Sequence, residues 1–315
     1  MNSTEIFRVI RPGLRTTIQD LGRKGYQRFG IPVSGAMDSY AMQLGNILVG
    51  NRRNEACLEV ALIGPELVAK TQLTIAITGA NFTPKINDIP VPMYSTIRMN
   101  EGDSLSFGKH QSGLFAYIAV AGGVGSLSYF HSKSTDIQSG LGRELWRDDT
   151  VLGLPIKRKQ RIRLHPKFIP TISTELKLGV LEGPHTAFFS NKIREKFFQT
   201  EFIVLPNSNR MGYRLSSSDV ILEEELPNIW SDAVPLGGIQ ILPNGDAIVL
   251  MSDRQTVGGY PRIGAVMTTD IPKLSQLIPN GKLRFYPVTI EEAQARYRQR
   301  EQILSTLETF RFHIT

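Results

Sequence analysis

A single cysteine, Cys57, stands in a chain of 315 residues, so no internal disulfide framework holds the fold and a reducing, cytoplasmic setting is expected. No apolar run approaches the roughly 20 residues that a membrane helix needs. The opening stretch "MNSTEIFRVIRPG" has no apolar segment of the kind found in secretory signals, so neither a membrane span nor a signal peptide is expected. Several catalytic signatures are missing too. There is no G-x-x-x-x-G-K-[ST] phosphate loop, no H-E-x-x-H, no Cys/His zinc spacing and no G-x-S-x-G elbow. The histidines, His110, His131, His165, His185 and His313, are scattered, and none lies in a motif. Chemistry must therefore rest on carboxylates, arginines, hydroxyls and amides, and no metal site is expected.

What is present reads as globular. Hydrophobic residues at 41% and charged residues at 21% can build two cores in a chain of this length. The net charge of +7 suits nucleic acid, anionic substrates or an acidic partner. Its densest cluster, "KRKQRIRLHP" (157–166), alternates from Gln160 onward and reads as a strand with a charged outer face. No aromatic stacking motif accompanies it, so nucleic acid is not the expected partner.

Most of the chain reads as short strands and turns, which argues for barrels or sandwiches. "KINDIPV" is a hairpin about Asn87-Asp88, and "LFAYIAVAGGV" a buried strand ending in paired glycines. Helices are few. "MDSYAMQLGNILVGN" carries Asp38 or Ser39 as cap, "HTAFFSNKIREKFF" a Phe189/Ile193/Phe197 stripe, and "TDIPKLSQLIPNG" Asp270 as cap. The last helix opens on Thr289 and Glu292 at capping-box spacing and turns Ala293, Tyr297, Leu304 and Leu307 to a core. "DLGRKGY" (20–26) is echoed by "NSNRMGY" (207–213), which favours a tandem duplication with domains 1–168 and 169–315, the second ending in the terminal helix.

Four stretches hold candidate chemistry. In "TTIQDLGRKGY", Gln19, Asp20, Arg23 and Tyr26 sit about a glycine turn that can hold a carboxylate or phosphate, or else only fix itself by an Asp20–Arg23 pair. In "GIPVSGAMD", Ser34 and Gly35 precede a helix whose N-terminal amides suit an anion, with Asp38 either capping or reaching a ligand. "YFHSKSTDIQSGLGRELWRDD" is a polar loop with hydroxyls, Lys133 and Arg143. "SDRQTVGGYPRIG" (252–264) follows the apolar run "AIVLM", with "SNRMGYRL" and its Arg210 and Tyr213 before it. If the strand continues, Asp253 and Gln255 face a pocket, joined by Thr256 if the chain bends before Gly258 and Gly259. Asp253 then serves as general base or as partner of a metal-bound water, Gln255 and Thr256 bind an amide or carboxylate, and Arg262 neutralises developing charge beside Tyr260. The competing reading is an Asp253–Arg262 or Arg254 network that is purely structural.

The stretches "PGLRTTIQDLGRKGYQRFGIPVSGAMD", "GNILVGNRRNEACLEVALIGPEL", "SNRMGYRL" and "MSDRQTVGGYPRIGAV" resemble the allophanate hydrolase subunit 2, or biotin-dependent carboxyltransferase-like, family, over about Ile10 to Val288. Asn209 stands where that family usually has aspartate, which weakens an acid/base role there, and Val257 where threonine is common. The resemblance implies a mainly β fold of two tandem cyclophilin-like barrels. It implies one component of a multi-chain enzyme that opens 5-oxoproline to glutamate with ATP and Mg, the ATP site shared with a partner or built from the glycine turns. The implied partners are the B component of the same system and a separate A component. It leaves open a carboxyltransferase role toward urea with a separate biotin carrier, and a regulatory role as a partner-sequestering module.

Overall fold

The computed structural model describes residues 3–158, 160–217 and 229–312; His313 lies outside them. The chain divides into two compact units. One comprises Met1–Arg23, Ser34–Ile172 and Ile303–Thr315, the other Lys24–Val33 and Ser173–Gln302. They are discontinuous in sequence, unlike the two continuous halves expected. The fold is mainly β with four helices: α1 (Ser39–Val49), α2 (Asn191–Gln199), α3 (Ile271–Ser275) and α4 (Ile290–Phe312).

The first unit holds two sheets. In one, the strands Arg15–Gln19, Cys57–Ala61, Ser112–Val120, Leu73–Asn81 and Thr96–Met99 lie side by side in that order. The other is seven-stranded and runs from Val124–Gly125 through Thr4–Arg11 to the Pro84–Ile86/Ile89–Pro90 hairpin. Val9, Leu58, Ile75, Ile77, Phe82, Leu105 and Ile118 from both sheets share one dry core. The hairpin turns on Asn87 (φ 49°) and Asp88 (φ 64°), the paired left-handed residues a tight two-residue connection requires. α1 is buried along nearly its whole length, capped by Asp38, whose side chain accepts from Ala41 N–H, and stopped by Gly50 at φ 88°.

The second unit is a closed barrel in the order Glu175–Glu182, Arg262–Val266, Gly238–Ile241, Ala247–Leu250, Gly212–Ser216, Phe202–Val204 and Lys282–Pro287. Closure removes the exposed strand edges that an open sheet presents. Phe197 of α2 stacks on Phe285 with centroids 5.0 Å apart, and the expected stripe of Phe189, Ile193 and Phe197 is buried. A separate ribbon of two short strands pairs Asp232–Ala233 with Val257–Gly258.

Three local expectations are corrected. The segment 160–164 is no strand; one isolated bridge, Ser95 to Arg163, is all the ladder it forms. Asp270 sits before α3 without capping it, because its carboxylate takes the Gly179 N–H at 3.0 Å and the Lys273 ammonium at 2.7 Å. α4 does open with the reciprocal Thr289/Glu292 capping box, and Leu304 is buried, but Tyr297 is exposed and carries Arg300 over its ring. No described helix is long and apolar enough to cross a membrane.

Candidate functional site

In the first unit the Arg15–Gln19 strand delivers the glycine turn. Gln19 is buried and donates from Nε2 to the Thr135 carbonyl at 3.0 Å. The Asp20 carboxylate accepts from Gly22 N–H (2.8 Å), Lys133 N–H (2.7 Å) and the hydroxyls of Ser132 (2.7 Å) and Ser134 (2.5 Å). Three of these bonds fall on Oδ1 and one on Oδ2, so the carboxylate is held at both oxygens by the protein itself. Arg23, equally buried, donates from Nη2 to the Ser134 carbonyl. The polar loop at 132–135, which the sequence marks only as a run of hydroxyls, is thus the partner of this turn, and Asp20 fastens the two together.

Gly35 is explained by the same packing. At φ 93° it faces the 20–22 backbone, where an added Cβ would lie 2.9 Å from Gly22 N. The helix beyond is not an open anion site. Met37 N–H and the Tyr117 hydroxyl donate to Glu59 Oε2 at 2.8 and 2.7 Å, and Asp38 N–H donates to the Tyr117 oxygen at 2.7 Å. The buried carboxylates of Glu59 and Asp38 occupy the place where a phosphate would sit and would repel one. The amides of Met37 and Ala41 are thereby taken by the protein's own carboxylates, and Ala36 N–H donates to the Asp20 carbonyl at 2.9 Å. Burial first, and Glu59 beside it, hold the Tyr117 phenol well above its ordinary range, so it stays a proton donor to that carboxylate. Burial likewise pushes the Cys57 thiol up, which leaves it unreactive.

In the second unit the strand Ala247–Leu250 does not continue into "SDRQT". The chain turns at Ser252–Asp253, with Arg254 N–H donating to the Met251 carbonyl at 3.2 Å. The alternation that would aim Asp253 and Gln255 at one pocket is therefore lost. Asp253 instead turns inward onto Arg210, which grips it from Nε at 2.7 Å and Nη2 at 2.8 Å while Asp253 N–H donates to the Arg210 carbonyl. Both residues are buried, and the fork engages both carboxylate oxygens. The structural network anticipated here exists: Asp253 pairs with Arg210 rather than Arg262, and Arg254 is held in a network of its own. Arg254 is buried among carbonyls, Nε donating to Val234 O at 3.1 Å, and burial pushes its guanidinium down to about 10, still charged at neutral pH. Tyr213 is committed to the core, its hydroxyl donating to the Ser275 carbonyl at 2.8 Å.

The remaining residues gather about the short ribbon. Arg262 is 3% exposed and donates from Nη2 to Asp232 at 2.8 Å, while its backbone N–H donates to His185 Nδ1 at 3.3 Å. Burial, then the Arg262 charge, lower the His185 pKa and keep the ring neutral. The Arg262 hydrogen bond holds the Asp232 carboxyl below its ordinary range. Gln255, Thr256 and Gly258 are half-buried, and Gly259 and Tyr260 are exposed. Tyr26 precedes a short 3-10 turn, Gln27–Phe29, in the segment grouped with this second unit. Sequence reasoning missed Gln240, His185, Asp232 and Glu59. A glutamine inside the apolar run "GGIQIL" and a glutamate inside "CLEVA" were the signals available.

Residues 29–287 match the family model described as carboxyltransferase domain, subdomain A and B. The chain is 33% identical to the C subunit of 5-oxoprolinase from Haemophilus influenzae, over 92% of this chain and 93% of that protein. It is 32% identical to the C subunit of 5-oxoprolinase from Escherichia coli, over 98% of this chain and 99% of that protein. Among solved structures, K. lactis urea amidolyase superposes on 98% of this chain at 30% identity with a TM-score of 0.88, but the match spans only 20% of that much longer chain.

Proposed function

The chain belongs to the carboxyltransferase-domain family, subdomains A and B, and on that premise we propose that it is one component of a cytoplasmic, ATP-dependent complex that opens 5-oxo-L-proline to L-glutamate. The observation that carries this reading is extent. The two bacterial 5-oxoprolinase proteins align with this chain almost end to end, whereas urea amidolyase matches it over a fifth of its own length.

Opening a lactam adds water across an amide, whose carbonyl is a poor electrophile, so the proposal enlists ATP as co-substrate. The first unit offers its phosphates no seat at the start of α1, where Glu59 and Asp38 already sit. ATP is accordingly assigned to a site completed by partner chains, a B component with a separate A component. This chain's contribution is then the ribbon cluster. Arg262 supplies the positive charge that draws an anionic substrate, while Gln255 and Thr256 supply amide and hydroxyl groups to the ring. Gly258 and Gly259 leave the approach free of side chains.

Co-expression with the partner chains and measurement of ADP release tests this directly. The proposal expects release that rises on adding 5-oxoproline. The structural likeness to urea amidolyase favours a second reading, carboxyl transfer to urea from a separate biotin carrier; release that ignores 5-oxoproline and answers to urea plus a biotinylated carrier would establish it instead. A tight complex without turnover would point to a regulatory module.

A further inference from the structure

We propose that Gln240, acting with Arg262, is the seat for the carboxylate of the substrate. Gln240 lies on Gly238–Ile241 directly across from Arg262 in the barrel sheet, so the two side chains leave the sheet on the same face. Gln240 is 2% exposed and Arg262 is 3% exposed. Each buries a nitrogen without a hydrogen-bond partner, Nε2 of Gln240 and Nη1 of Arg262. A buried donor left unmatched costs about 1 to 3 kcal/mol, so two together on neighbouring strands are a feature the fold retains against its own stability.

The surroundings show what is missing. Asp232 holds Nη2 of Arg262 and leaves Nη1 over. A Cβ on Gly258 would lie 2.6 Å from Gln240 Nε2 and 3.4 Å from Gln255 Nε2, so two amides meet where this residue has no side chain. Every unmatched group is a donor, and one carries a full positive charge. The complementary ligand group is an anion with two acceptor oxygens, which in 5-oxoproline is the carboxylate. Gly258 of the two-residue ribbon, which pairs Asp232–Ala233 with Val257–Gly258, lies against Gln240, and Asp232, half exposed, holds Arg262; so short a ladder is readily displaced by an entering ligand.

This inference rests on the 5-oxoproline reading only for the identity of the carboxylate's owner. The test uses the chain co-purified with its partners and calorimetric binding of 5-oxoproline and of 2-pyrrolidinone, the same ring without the carboxylate. The wild type is expected to bind 5-oxoproline at least about tenfold more tightly. Gln240→Met, of similar volume, is expected to remove most of that preference while leaving 2-pyrrolidinone binding unchanged, and in turnover to raise KM more than it lowers kcat. Equal binding of the two rings by the wild type would overturn the proposal, even if the variant failed to fold. So would a Gln240→Met protein that keeps the full preference, or one that weakens both rings equally. A wild type that prefers the carboxylated ring but releases no ADP with it would refute the proposed function and leave this seat standing.

Discussion

The two echoed turns carry nearly the same residues and do the same work through different ones. Both follow a strand, Arg15–Gln19 in the first unit and Phe202–Val204 in the second. In the first, the acid leads: Asp20 collects four donors, three of them from the 132–134 loop, and Arg23 adds a bond to the same loop. In the second, Asn207 stands in the acid's place, and Asn209, at the position of Gly22, closes the turn by accepting from Met211 N–H at 2.8 Å. There the arginine leads, and Arg210 holds the acid of another loop, Asp253. A turn of this pattern is thus a fastener for a distant loop, and which of its charged residues does the fastening can change while the job stays.

The contrast can be broken at either end. Asp20→Ala would leave four donors facing each other, and we expect a loss of about 4 kcal/mol or more, read as faster amide exchange in the first unit with the second unit's barrel protected. Arg210→Met would strand the buried Asp253 carboxylate; a loss of about 3 kcal/mol, confined to the second unit in the same exchange measurement, is expected. A double-mutant cycle with Asp253→Asn should recover much of that loss, since the uncompensated charge is then gone. Gly35→Ala sharpens the first-unit side: a Cβ at φ 93° against the Gly22 backbone should cost about 2 kcal/mol in denaturant unfolding.

The smallest effect concerns pH. The folded chain holds the His185 pKa below the value of the unfolded chain, so the unfolded state takes up the proton first. The stability tied to His185 is then complete above about pH 6.5 and declines as the pH falls below it. Protonation would also remove Nδ1 as the acceptor for Arg262 N–H. The unfolding midpoint of the wild type should fall over that window, and His185→Asn should flatten the fall.

Much of the scaffold was legible because its signals are local. Asn87-Asp88 announces a hairpin, Asp38 and Gly50 bracket α1, and Thr289 with Glu292 opens α4, each through residues a few positions apart. The candidate site was only half legible. Gln255, Gly258 and Arg262 stand out in "DRQTVGGYPRIG", and the structure gathers them about one ribbon with Asp232. The partners were not visible, because they arrive from far along the chain. Nothing near Asp20 says that residues 132–134 will supply its donors, and nothing near Asp253 distinguishes Arg210 from Arg254 or Arg262. The alternation argument failed at Asp253 for a physical reason: the strand stops at Leu250, and a turn has no period of two.

The central claim is that Asp253 is a clamp for its loop and that the reacting groups lie beyond it, at the ribbon. Asp253→Asn, assembled with its partner chains and assayed for 5-oxoproline-dependent ADP release, tests it most directly. We expect a measurably less stable protein whose folded fraction keeps kcat within about threefold, since an asparagine can still accept from Arg210. A variant as stable as the wild type with turnover down by about a hundredfold or more would contradict the claim and make Asp253 the general base.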